Sequence, residues 1–90
     1  MGFEWDENKN EKNRIKHGIS FEDAALIFDH AVAERPVDWS GPEKRIQAFG
    51  EVQGIVITVI YTWRGPFRRL ISARKAGKNE RENYFKIQKR

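Results

Sequence analysis

Apolar residues crowd most densely at positions 55–63, Ile-Val-Ile-Thr-Val-Ile-Tyr-Thr-Trp. A run of that length, rich in β-branched and aromatic side chains, suits a strand buried on both faces better than a helix. Arg64-Gly65-Pro66 then supplies turn chemistry. Residues 67–74 resume as a strand in which arginines interleave with Leu70, Ile71 and Ala73. Strict alternation there puts Arg69, Ile71 and Ala73 on one face and Arg68, Leu70, Ser72 and Arg74 on the other. Upstream, residues 45–52 set Ile46, Ala48 and Val52 against Arg45, Gln47 and Phe49. Gln53-Gly54 joins this strand to the central one as a two-residue hairpin turn. Residues 31–38 also read as extended, but Pro36 lacks a ladder donor, so they belong at a sheet edge. Trp39-Ser-Gly-Pro42 is a loop.

The helical signals lie at the two ends. Phe3-Glu4-Trp5 reads as a short strand or anchor, and Asp6 as the N-cap of a helix reaching His17. That helix has only Ile15 as an interior apolar residue, so tertiary contacts must hold it. Gly18 is its expected left-handed stop. Ser20 and Asp23 form a near capping box for a second helix, with Phe21, Ala24, Ala25 and Phe28 on its inner face. After Gly77, Asn79-x-x-Glu82 signals a last helix with Tyr84, Phe85 and Ile87 as its apolar stripe. The order predicts an α+β domain spanning residues 1–90: a short strand, two helices, a four-stranded antiparallel meander and a C-terminal helix.

Charge adds a second division. Residues 1–63 hold seven Lys/Arg against eleven Asp/Glu, whereas residues 64–90 hold ten against two. A basic C-terminal third suggests a polyanionic partner or a solvated, solubilising tail. Cysteine is absent, so disulfides and thiol chemistry are excluded. Two histidines distant in sequence argue against a zinc site, and no cofactor is expected. The first residues look like neither a signal peptide nor a membrane span, which predicts a cytoplasmic protein.

Three blocks, Lys16-His-Gly-Ile-Ser-Phe-Glu-Asp-Ala24, Ile71-Ser-Ala-Arg-Lys-Ala76 and Glu80-Arg-Glu-x-Tyr84, together resemble the BrnT family of toxins from bacterial type II toxin–antitoxin systems. The likeness runs from Phe3 to about Tyr84. It implies a compact fold similar to RelE-type ribonucleases and growth arrest through RNA cleavage, with mRNA, free or on the ribosome, as substrate. It also implies a BrnA-like ribbon-helix-helix antitoxin, with promoter DNA bound only through the toxin–antitoxin complex.

An RNA-cleaving site uses the 2′-hydroxyl as nucleophile and needs a base, an acid and a cation for the phosphorane charge. Arg74 is the leading phosphate clamp, against a plain strand-end ion pair with Glu80 or Glu82. Arg45 is a second cation for the same face. His17 is the side chain type suited to proton transfer, or else a helix cap. Tyr61 is either an acid–base hydroxyl or a buried ring, and Glu80 either a proton carrier or the residue that orients Arg74. Arg64, Arg68, Arg69 and Lys75 are candidate RNA-backbone contacts. Trp39 either stacks on a base or partner, or lids the core edge. The alternative function is a non-catalytic module that binds nucleic acid or an antitoxin through the same surface.

Overall fold

The computed structural model of the chain describes residues 2–88. Its elements are β1 (Gly2–Glu4), α1 (Glu7–His17), α2 (Phe21–Ala24), a 3₁₀ helix (Ala25–Asp29), β2 (Ala33–Pro36), β3 (Ile46–Val52), β4 (Ile55–Arg64), β5 (Phe67–Lys75) and α3 (Lys78–Gln88). The α+β class and the antiparallel β2-β3-β4-β5 meander follow the sequence pattern. The sheet gains a fifth strand, in the order β1-β5-β4-β3-β2, because β1 pairs parallel with β5 from Gly2 opposite Phe67 to Glu4 opposite Arg69. Among the described residues no helix is long and apolar enough to cross a membrane.

Local chemistry fixes the hairpins. Val52 pairs with Ile55, and between them Gln53 and Gly54 have φ of 51° and 80°. Positive φ at both central residues is the turn whose twist matches that of the flanking strands, and glycine carries its second position without strain. A similar two-residue link, Gly65-Pro66, joins β4 to β5, where Arg64 pairs with Phe67.

One irregularity redirects β5. Ile60 faces Ser72 but Tyr61 faces Leu70, so Ile71 is an extra residue in the ladder. Such a bulge inverts the alternation beyond it. Arg68, Leu70 and Ala73 therefore point to the helical side, and Arg69, Ser72 and Arg74 to the other. The strict alternation expected from sequence separated Arg69 from Arg74; the bulge unites them.

The helical face holds the main core, in which Phe21, Ala24, Ile27, Ala48, Val59, Tyr61, Leu70 and Ala73 are buried. Ile27 is inside, whereas helical spacing had placed Phe28 there. The chain tightens after Ala24 into a 3₁₀ helix, whose three-residue repeat brings Ile27 beneath Ala24. Phe28 is half-buried and meets the Tyr61 ring edge-on at 5.4 Å. On the opposite face α3 packs through Tyr84 on Phe49 and Val56. Its start also differs from expectation. Gly77 is the cap, and its N–H donates to Glu80 at 2.9 Å, so Glu80 rather than Glu82 closes the helix start.

α1 docks without an apolar face. Ile15 is 71% exposed, while Asn10 and Asn13 are buried. Asn13 donates to the carbonyls of Ala73 (2.7 Å) and Ile19 (2.9 Å) and accepts from the Ala73 N–H (3.1 Å). Its amide thus continues the β5 ladder where β1 stops. Asn10 accepts from the Phe21 N–H (2.8 Å) and donates to Glu22 (2.7 Å), tying α1 to the start of α2.

Candidate functional site

The face of the sheet opposite the main core is only partly covered. α3 lies over its Phe49/Val56 end, and Gln47, Ile60 and Ser72 are left half-buried farther along. This face carries most of the candidate residues, in two groups.

The first group sits beside the start of α3. Arg74 donates from both terminal guanidinium nitrogens to the two Glu80 carboxylate oxygens, at 2.7 and 2.9 Å. Gln47 extends the arrangement, donating to Glu80 at 3.4 Å and accepting from Arg35 at 2.7 Å. The Arg74 hydrogen bonds, joined by the Gly77 N–H and opposed by partial burial, hold the Glu80 carboxyl down at about 2. Arg74 is raised in turn by the same partner. Glu80 is thus ionised at neutral pH and held against Arg74 by two hydrogen bonds.

The second group lines a cavity of about 270 Å³ at the far end of β4, where Lys9, Arg45, Arg64 and Arg69 meet around Thr62. Each cation comes from a different element or loop. Lys9 is in the first turn of α1, Arg45 precedes β3, Arg64 ends β4, and Arg69 follows the β4–β5 turn. Glu4 of β1 steadies two of them, 2.7 Å from Arg69 and 3.7 Å from Arg64. Arg45 approaches Glu43 at 3.4 Å and places its guanidinium carbon over the Trp39 ring, 3.4 Å from its centre.

A shallow pocket along the α1–β5 seam connects with this cavity. Lys9, Lys12, Lys16, His17, Ile71 and Ser72 line it, and Lys9 and Ile71 belong to both. His17 accordingly lies on a surface continuous with Arg45, Arg64 and Arg69. Lys9 and its helical neighbours went unnoticed in the sequence because residues 1–63 are acidic overall. Their spacing at positions 9, 12 and 16 was the available signal.

Three candidates lie elsewhere. Tyr61 is 1% exposed on the helical side, and its hydroxyl donates to Glu34 of the edge strand. Burial raises its pKa, the Glu34 bond adds to this, and hydrogen bonding with Arg68 opposes it. Arg68 is on that same side, its guanidinium over the rings of Phe28 (4.3 Å) and Trp63 (4.6 Å). Lys75 lines a groove with Gly18, Ile19 and Asp23, away from both cationic groups. Trp39, by contrast, packs on Arg45 beside the second group, where it donates its indole N–H to the Glu43 carbonyl at 2.7 Å and closes the loop before β3.

Comparison with known proteins bears on this arrangement. Residues 5–80 match the family model described as the ribonuclease toxin BrnT of type II toxin–antitoxin systems. No curated protein matches the chain. The fold is similar to the 1.1 Å crystal structure of the Brucella abortus ribonuclease toxin BrnT, with a TM-score of 0.65 and 32% sequence identity over 87% of this chain and 99% of that one. Nearly all of the sheet, both N-terminal helices and both cationic groups fall inside the matched region. The chain therefore belongs to the BrnT family of ribonuclease toxins of type II toxin–antitoxin systems.

Proposed function

We propose that this chain acts as one toxin domain, a metal-independent endoribonuclease that cuts mRNA in the cytoplasm, free or on the ribosome, and so stops translation and growth. The observation that carries the reading is the meeting of Lys9, Arg45, Arg64 and Arg69 on one open cavity, with Arg74 on the same face of the sheet. Four cations brought together from four different segments suit a phosphodiester better than a solvated tail does. Among the described residues no group of three or more His, Cys, Asp or Glu is placed to hold a metal. In this reading the RNA supplies its own nucleophile, the 2′-hydroxyl.

In this mechanism the 2′-hydroxyl attacks the adjacent phosphorus as a base removes its proton. The P–O5′ bond breaks, and an acid protonates the departing 5′-oxygen, leaving a cyclic phosphate and a 5′-hydroxyl. Arg45, Arg64 and Arg69 hold the backbone. Arg74, aimed by Glu80, stabilises the phosphorane charge, and His17 on the adjoining seam handles the proton. Tyr61 and Arg68 serve the core and the edge strand instead.

Silencing falls to a neighbouring, BrnA-like ribbon-helix-helix antitoxin that covers the cationic face, the pair together binding promoter DNA. A second reading, a binding module without catalysis, draws on the pairing of both terminal Arg74 nitrogens with Glu80. Induction of this chain alone separates the two. Growth arrest that co-expression of the neighbouring product relieves is expected, and Arg74→Lys should remove most of it while RNA binding persists, because an ammonium cannot reproduce two-point contact. Full arrest by Arg74→Lys would take Arg74 out of the mechanism.

A further inference from the structure

Beside the phosphate cavity lies a larger groove of about 750 Å³ under the 37–45 loop. The two share Glu43, Arg45, Thr62 and Trp63 as a common wall. Two indoles border the groove, Trp39 at 38% and Trp63 at 46% exposure. Half-exposed tryptophans close to a cationic pocket are unusual as mere surface, since large apolar rings gain by burial.

Two of the polar groups near these rings are already engaged. The Trp39 N–H is held by the Glu43 carbonyl, and the Thr62 hydroxyl donates to the Lys44 carbonyl at 2.6 Å. What the groove offers is therefore ring surface and the Arg45 guanidinium. Trp39 is also firmly placed. Arg45 covers its ring from one direction, and Gly41 packs so closely that any side-chain carbon there would overlap the ring. Trp63 is buttressed by the Tyr61 ring at 5.8 Å and by Arg68.

We propose that this groove is a nucleobase subsite, taking the base of a nucleotide whose phosphate occupies the adjoining cavity. The proposal rests on the reading of that cavity as a phosphate site and names what binds next to it. Stacking against indole and guanidinium planes is the means by which unpaired RNA bases are held. With the Trp39 N–H and the Thr62 hydroxyl turned into the loop, stacking carries the contact, and the subsite detects a base with little reading of its identity. RNA, rather than a protein partner, is favoured by the continuity with four cations and by the flat, cation-backed rings.

The test uses the whole chain and a short 2′-O-methyl oligonucleotide, which offers no nucleophile. Removing single bases along it should weaken binding by wild type at one position above others, by about tenfold to a hundredfold, the range of one base–aromatic stack. Exchanging that base for any other should change little. Trp39→Ala should lower affinity for the intact oligonucleotide by a similar factor and for the abasic one, through the loosened Arg45, much less, and Trp39→Phe should recover most of the loss. Should Trp39→Ala not fold, tryptophan emission of wild type still decides. The intact oligonucleotide should quench it, and the abasic one much less.

Equal losses by Trp39→Ala for intact and abasic oligonucleotides, or a flat abasic scan, would overturn the subsite while leaving the phosphate cavity in place. Unchanged RNA affinity together with loss of the co-purifying neighbour would overturn it too, and would assign the groove to the antitoxin. If wild type bound no oligonucleotide, the cavity reading and the subsite would both fall.

Discussion

Arg74 and Glu80 carry the sharpest electrostatic signature in the structure, and it has a measurable consequence. Glu80 sits at about 2 when folded, against an ordinary value of 4.5. A carboxylate depressed by folding adds stability that is fully present above its unfolded value and is lost as pH falls toward its folded one. The window is therefore pH 4.5 down to 2. Arg74 is 42% exposed, so solvent screens the pair, and about 1 kcal/mol is a realistic size. Glu80→Gln should lose this contribution at neutral pH and show a flatter acid unfolding profile between pH 4.5 and 2. Identical profiles for wild type and Glu80→Gln would mean that the ion pair contributes nothing to folding. At this scale the sequence was informative about residue type and silent about company. It nominated Arg74 with Glu80, which do meet, but also Lys75, which neighbours Arg74 in sequence and faces another groove.

The elements show why some of the architecture could be read in advance and some could not. Hairpin turns and helix caps are local, and Asp6, Gly18, Ser20 and Gln53-Gly54 act where the sequence places them. The Ile71 bulge was hidden because arginine and apolar residues are mixed on both sides of it, so either register of β5 fits the pattern. Its effect on the site is large, since it brings Arg69 and Arg74 to one face. α1 was opaque for another reason. Its docking is made by two buried asparagines, a residue type that sequence periodicity counts as polar surface. Asn13→Ala should remove three hydrogen bonds and strand the backbone groups of Ala73 in a buried place. Each such group costs about 1–3 kcal/mol, and the expected total is about 3 kcal/mol of stability, read from denaturant midpoints. The variant should also displace Lys9, Lys12 and Lys16, weakening RNA binding in the fraction that stays folded. A loss of a few tenths of a kcal/mol would show that α1 is held by something else.

Across the whole molecule, charge is organised in a way the linear tally concealed. The basic excess of residues 64–90 is split by the sheet, with Arg64, Arg69 and Arg74 on the open face and Arg68 and Lys75 elsewhere. The acidic N-terminal part returns a lysine row to the same open region through α1. If four phosphates are engaged, the logarithm of RNA affinity should fall with that of salt at a slope of about −3, and Lys9→Ala should lessen the slope by about 0.7. A slope near zero would leave the cationic cavity without its assigned ligand.

The central claim is that this surface cleaves RNA through the RNA's own 2′-hydroxyl. Matched oligonucleotides, one all-ribose and one carrying 2′-O-methyl at the scissile nucleotide, test it in the presence and absence of chelator. The account predicts equal binding of both, cutting of the ribose strand alone, a cyclic phosphate and a 5′-hydroxyl as products, and no effect of chelator. Cutting of both strands, or loss of cutting in chelator, would contradict it.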